Sequence, residues 1–250
     1  MMRKIGIGAL EDLDKVIASI LKSGLERELL VYCRSSPGHS TGADIAFHES
    51  GNPEEDLVQD LASGAIRAAI RGTLPANSTL SALKRAFSVD HLERVALLET
   101  ADGRKFLLAP VGVDEGWSVG EKVTFVKKGR AIAEKFGLPG RVAVLSGGRI
   151  GDVGRNARVD QSLADAELVA RLSGAVHREI LIEDAIKDSG LIIAPDGISG
   201  NLIFRTLTFL GAGKGHGAPV VNIDGIFVDT SRASPDYVNA IMLADSLSKQ

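Results

Sequence analysis

Three short polar runs hold the residues able to do chemistry. The first, SGGRIGDVGR at 146–155, places four glycines directly after an apolar stretch. Glycines let a backbone approach a ligand closely, and successive N–H groups there can form an anion nest. In that reading Ser146 and the amides of Gly147 and Gly148 face a phosphate or carboxylate, with Arg149 and Arg155 adding bidentate grip. The alternative is a surface turn with solvated arginines. The second run, PDGISGN at 195–201, precedes an apolar helical stretch. Ser199, Gly200 or Asn201 can cap that helix, and its N-terminus favours an anion. Capping alone also explains Ser199 or Asn201. Asp196 opposes an anion unless it positions another group. The third run, DTSRAS at 229–234, offers Ser231 as a donor to developing negative charge and Arg232 as an anion clamp. Its alternative is a helix cap at Ser231 or Ser234 with Arg232 in solvent. Asp196 and Asp236 are the carboxylates near these runs able to act as a base, a role that needs a raised pKa.

Other runs carry less. GIGALE at 6–11 lacks the third glycine of a dinucleotide fingerprint, and GAGKGHG at 211–217 lacks the Gly-Lys-Ser/Thr ending of a phosphate-binding loop. The histidines His39, His48, His91, His177 and His216 have no metal-ligand spacing, and His39 and His48 read as loop residues. The lone Cys33 has no intrachain partner and lies in an apolar run, so it reads as a small buried hydrophobe. A net charge of −3 gives no basic excess for nucleic acid. The start MMRKIGIGAL is too short and glycine-interrupted for a signal peptide, and no apolar run approaches a membrane span. The expectation is a cytoplasmic protein with neither a membrane nor a nucleic-acid partner.

These runs need elements to position them. Apolar strands are expected at 3–8, 28–33, 141–145 and 191–194, with hairpins around Asp102-Gly103 and Asp224-Gly225. Helical spacing is expected at 10–21, 54–71, 119–136, 162–172, 200–210 and 235–247. Alternating strands and helices argue for an α/β fold with mostly parallel sheets covered on both faces. All three polar runs then follow strands, at the carboxyl ends where such sheets bind ligands. The change of character in mid-chain fits a segment that leaves one domain and returns.

The order of the motifs resembles the phosphate acetyl/butyryltransferase family. LASGAIRAAIRG, AIAEKFGLPGRVAVLS, LIIAPDGISGNLIFRTLTFLG and VDTSRASPDYVNAIMLA follow one another in the family's order. VAVLSGGRIGDVGR followed by VDQSLADAELVA looks like a methanogen subgroup called methanogenesis marker protein 4, or methyltransferase subunit X. The resemblance implies the two-domain fold of isocitrate and isopropylmalate dehydrogenases, with three-layer parallel or mixed sheets and a cleft between the domains. Domain I would comprise 1–82 plus 200–250, and an inserted, dimer-forming domain II would be 83–199. It further implies a homodimer, an anionic or phosphorylated ligand, and coenzyme A or a phosphorylated methanogenic cofactor as co-substrate. Other methyltransferase subunits would be its partners. By the same resemblance Ser231 and Arg232 act on thiol and phosphate, and the 146–155 loop helps hold the phosphate.

The sequence also departs from the family. The acid expected seven positions after the serine is Val238, and Asp236 lies two residues nearer. The aspartate expected after the middle hairpin is displaced to Asp114, within APVGVDEG. Two readings follow. One is a phosphate acyltransferase-like transferase. The other is a non-catalytic subunit or ligand sensor of a methyltransferase complex that keeps the fold.

Overall fold

A computed structural model describes residues 3–36 and 44–249. His39 and the rest of 37–42 in the polar loop expected at 34–42 lie outside the described residues. The chain divides into two compact units, 1–92 with 217–250 and 93–216.

The first unit begins with β1 (Ile5–Ala9), α1 (Leu13–Ser23), β2 (Leu29–Cys33), β3 (Ala46–Glu49), α2 (Pro53–Ala62), β4 (Ala68–Ile70) and α3 (Ala76–Phe87). β1 is buried along its whole length, as a strand covered on both faces must be. α1 buries Val16, Ile17 and Ile20 and ends at Gly24. The helix expected at 54–71 is two elements. It stops after Ala62, Gly64 takes a left-handed φ of 72°, and 68–70 become a strand paired with β1. Ala65, Ile66, Ala69 and Ile70 continue the helical spacing by coincidence: two-sided burial makes any apolar run compatible with either period. His48 lies on β3, not in a loop. α3 was not anticipated, although Leu80, Leu83 and Phe87 recur on it at helical spacing.

The second unit holds β5 (Ala96–Glu99), β6 (Lys105–Ala109), α4 (Val119–Lys135), β7 (Val142–Val144), α5 (Ala157–Ser173), β8 (Val176–His177), α6 (Ile182–Asp188), β9 (Leu191–Ile193), α7 (Gly197–Arg205) and β10 (Lys214–Gly215). β5 and β6 form the expected hairpin. α4 opens on a reciprocal capping box between Ser118 and Glu121. The helix expected from 200 starts at Gly197, and 206–210 continue it as a wider π turn. The chain then returns to the first unit as β11 (Ala218–Pro219), β12 (Phe227–Asp229) and α8 (Val238–Ser248).

The first sheet runs β11-β12-β4-β1-β2-β3, parallel except for the edge strand β11. Its core gathers Tyr32, Leu57, Val58, Leu74, Leu83 and Phe227. The second sheet runs β10-β5-β6-β9-β7-β8, parallel from β6 to β8. Phe106, Phe125, Val144 and Ile192 are among the buried residues of this unit. Among the described residues no helix is long and apolar enough to cross a membrane.

Candidate functional site

In the first unit the polar residues gather at the carboxyl ends of β1, β4 and β12, which are neighbours in the sheet. β12 ends at Asp229, whose carboxylate pairs with Arg71 just beyond β4. Arg71 also donates to the Leu74 carbonyl at 2.8 Å, and Thr230 Oγ1 donates to the Gly72 carbonyl at 3.1 Å. These bonds fix the base of the turn that carries Ser231 and Arg232. Ser231 Oγ accepts the Ala233 amide at 3.2 Å, which leaves its own proton to donate. Arg232 is half exposed, and its Nη1 lies 3.4 Å from both carboxylate oxygens of Glu11. Lys15 Nζ donates to the Arg232 carbonyl at 3.0 Å. Tyr237 is buried beneath the turn and donates through its hydroxyl to the Ser231 carbonyl at 3.4 Å. Burial pushes its phenol up to about 12. Asp236 turns elsewhere: one oxygen accepts the Val238 amide at 3.2 Å, and the other lies 3.8 Å from Lys22 Nζ.

In the second unit the loops after β7 and β9 stand side by side, because those strands pair. The 146–155 loop is braced by acceptors within it and in the segments that follow. The Gly147 amide donates to Ser162 Oγ at 2.8 Å, that of Arg149 to Asp152 at 2.8 Å, that of Ile150 to Glu179 at 2.8 Å and that of Gly154 to Asp160 at 2.9 Å. Arg155 pairs with Asp152 at 2.6 Å. The Arg149 amide, and next the Arg155 guanidinium, hold the Asp152 carboxyl below its usual range. Ser146 is buried. Its Oγ donates to the Gly148 carbonyl at 2.9 Å and lies 2.9 Å from His177 Nε2, while His177 Nδ1 is 3.3 Å from Glu167. Of the two amides expected to form an anion nest, that of Gly147 is thus taken by a serine hydroxyl, while acidic side chains take those of Arg149, Ile150 and Gly154.

Asp196, rather than Ser199 or Asn201, caps α7 by accepting the Ser199 amide at 2.8 Å. Asn201 reaches back, and its Nδ2 donates to the Val111 carbonyl at 3.0 Å. Gly200 has no room for a side chain, since a Cβ there would stand 1.9 Å from the Pro110 carbonyl oxygen. The first turn of α7 is thus pressed onto the 110–115 loop that follows β6. The last residue of that loop, Glu115, is buried. It accepts Arg94 Nε at 2.6 Å and the amides of Arg94 and Gly112 at 3.2 Å each. Burial pushes its carboxyl up, against the pull of Arg94.

Reading the sequence missed Glu11, Lys15, Arg71, Glu115 and His177. A signal existed for the first two: acidic and basic residues four apart, straight after the strand 3–8. Arg71 had none while 54–71 read as one helix.

Fold and polar edges together define an α/β protein of two units, each built on a largely parallel sheet. The structure is similar to that of a branched-chain phosphotransacylase from Enterococcus faecalis V583, with 17% identity, 99% of each chain covered and a TM-score of 0.78. It is also similar to isocitrate dehydrogenase from Methylococcus capsulatus, with 10% identity, 99% of this chain and 85% of the other covered, and a TM-score of 0.55. Likeness at these identities speaks for the fold alone. No family model matches the chain. In sequence it is 47% identical over 236 residues to the "Putative methyltransferase mtx subunit X" of Methanosarcina barkeri, covering 92% of this chain and 84% of that one. The chain belongs to this methyltransferase mtx subunit X family.

Proposed function

We propose that this chain is a phosphotransacylase-like transferase that works with other methyltransferase subunits and binds an anionic small molecule, phosphorylated or carboxylated, at Ser231 and Arg232. The Arg232 guanidinium carries the reading. It stands at the carboxyl edge of a parallel sheet, where such folds hold ligands. Its acidic partner sits at 3.4 Å, beyond the 2.7–2.9 Å typical of a tight charge-assisted bond. A ligand phosphate or carboxylate can replace that partner. Ser231 then donates to charge developing on the attacking or leaving group, and Asp236, in the same unit, would supply the base. Coenzyme A or another phosphorylated carrier is the ligand class whose phosphate the Arg232 guanidinium would hold. Assembly as a homodimer belongs to the same reading.

The test is thermal shift against acyl phosphates, coenzyme A thioesters and methanogenic cofactors, since a ligand that binds the native state raises its melting temperature. Arg232→Ala should abolish the response to whichever compound stabilises the wild type. An undiminished response would end the reading.

One observation favours the alternative, a non-catalytic subunit or ligand sensor. Asp196 and Asp236 each hold a backbone amide at the start of a helix. Val238 stands where the family resemblance places an acid. A ligand that stabilises the chain but shows no turnover, with or without the partner subunits, would select this reading.

A further inference from the structure

The turn carrying Ser231 and Arg232 is gripped from α1 at several points. Lys15, in the first turn of that helix, sends its ammonium to the Arg232 carbonyl at 3.0 Å. The same ammonium pairs with Asp12 at 3.4 Å and lies 5.4 Å from the centre of the Tyr237 ring. One turn further on, Ser19 Oγ donates to the Lys15 carbonyl at 2.7 Å and accepts the Tyr237 amide at 3.0 Å. The Lys15 side chain is 18% exposed, far less than the guanidinium it supports, at 50%. The other end of Arg232 is met by Glu11, whose amide is pinned by Thr73 Oγ1 at 3.2 Å. One segment, 11–19, therefore holds both the peptide and the side chain of Arg232.

We infer that Lys15 is the positioning residue of the anion clamp. This rests on the reading of Arg232 as that clamp. A guanidinium at the end of a long side chain binds an anion well only if its backbone does not wander, because ordering it on binding carries an entropic penalty. The ammonium supplies the order in advance. Within residues 231–234 the ammonium contacts the Arg232 carbonyl, so Lys15 acts through the peptide of Arg232 and not on the ligand.

The experiment measures binding of inorganic phosphate and acetyl phosphate to the full chain by calorimetry. It compares the wild type with Lys15→Met, Lys15→Arg and Arg232→Ala, each at about 0.1 M and about 0.5 M salt, concentrations chosen to bracket screening of exposed charges. Lys15→Met should weaken the anion by about tenfold, the loss of one charge-assisted bond discounted for exposure, and the loss should persist at high salt. Lys15→Arg should restore most of it. Three results would overturn the inference: wild-type affinity in Lys15→Met, a loss that vanishes at high salt, or no rescue by arginine. The second would mark Lys15 as a mere source of field. Binding that survives in Arg232→Ala, or no binding by any of the proteins, would instead remove the clamp itself, and the inference with it.

Discussion

Glu115→Ala tests how the second unit holds the first turn of α7. In the native chain this buried carboxylate accepts three donors: Arg94 Nε at 2.6 Å and the Arg94 and Gly112 amides at 3.2 Å. Truncation strips all three of their acceptor. Arg94 keeps Asp114 at 3.3 Å, an exposed carboxylate. Breaking one partner of a buried pair costs about 3–5 kcal/mol. For a chain of this size that lowers the melting temperature by roughly 6–20 °C. Urea unfolding followed by circular dichroism gives the free energy, and hydrogen exchange at 110–116 shows whether the loss is local to the loop. A change below about 1 kcal/mol would refute the reasoning, because an exposed ion pair would give as much. The pH dependence adds a sign. Burial raises the folded carboxyl above its ordinary value near 4.3, so between the two values the folded state holds the extra proton. Stability contributed by Glu115 therefore falls as pH rises through that window. Glu115→Gln, neutral throughout, should flatten that slope.

Two further outcomes follow from the same unit. Gly200→Ala should destabilise by about 1–3 kcal/mol in chemical denaturation, since its Cβ would stand 1.9 Å from the Pro110 carbonyl oxygen. Gly151→Ala, where a Cβ meets nothing within 4 Å, is the control and should change little. His216 is held below its usual pKa by burial, although Glu99 pulls the other way. The unfolded chain then takes up the proton first, so stability should decline as pH falls below about 6.5. An equal decline in His216→Gln would show that the histidine is not responsible.

Much of the fold was legible because strands buried on both faces declare themselves as short apolar runs bounded by glycine. The hairpin at Asp102-Gly103 and the helix beginning at Ser118 carried local chemistry that tertiary packing had no reason to override. The stretch 54–71 failed for the opposite reason. Ala65, Ile66, Ala69 and Ile70 fit a helical and an extended period alike, and Gly64 decides the matter through its backbone. The site was legible as loops but less so as contacts. Arg232 was visible from its run, whereas Glu11 and Lys15 reach it from more than 200 residues away in sequence. Glu115 was hidden by its neighbour: the sequence shows two adjacent acids, and only packing reveals that Asp114 faces solvent while Glu115 is buried.

The position of β12 bears on how the chain comes off the ribosome. That strand lies inside the first sheet, between β4 and β11, yet it is made only after the whole of 93–216. Until then β4 presents a bare, apolar backbone edge, open to any passing strand. The second unit is continuous in sequence and is synthesised complete during that wait, so every strand of its sheet is available before β12 is. The first sheet closes only when the segment bearing Ser231 and Arg232 docks beside β4. A nascent chain stalled before 227 would therefore be prone to aggregate, and the basic turn is assembled in the same late step that seals the edge.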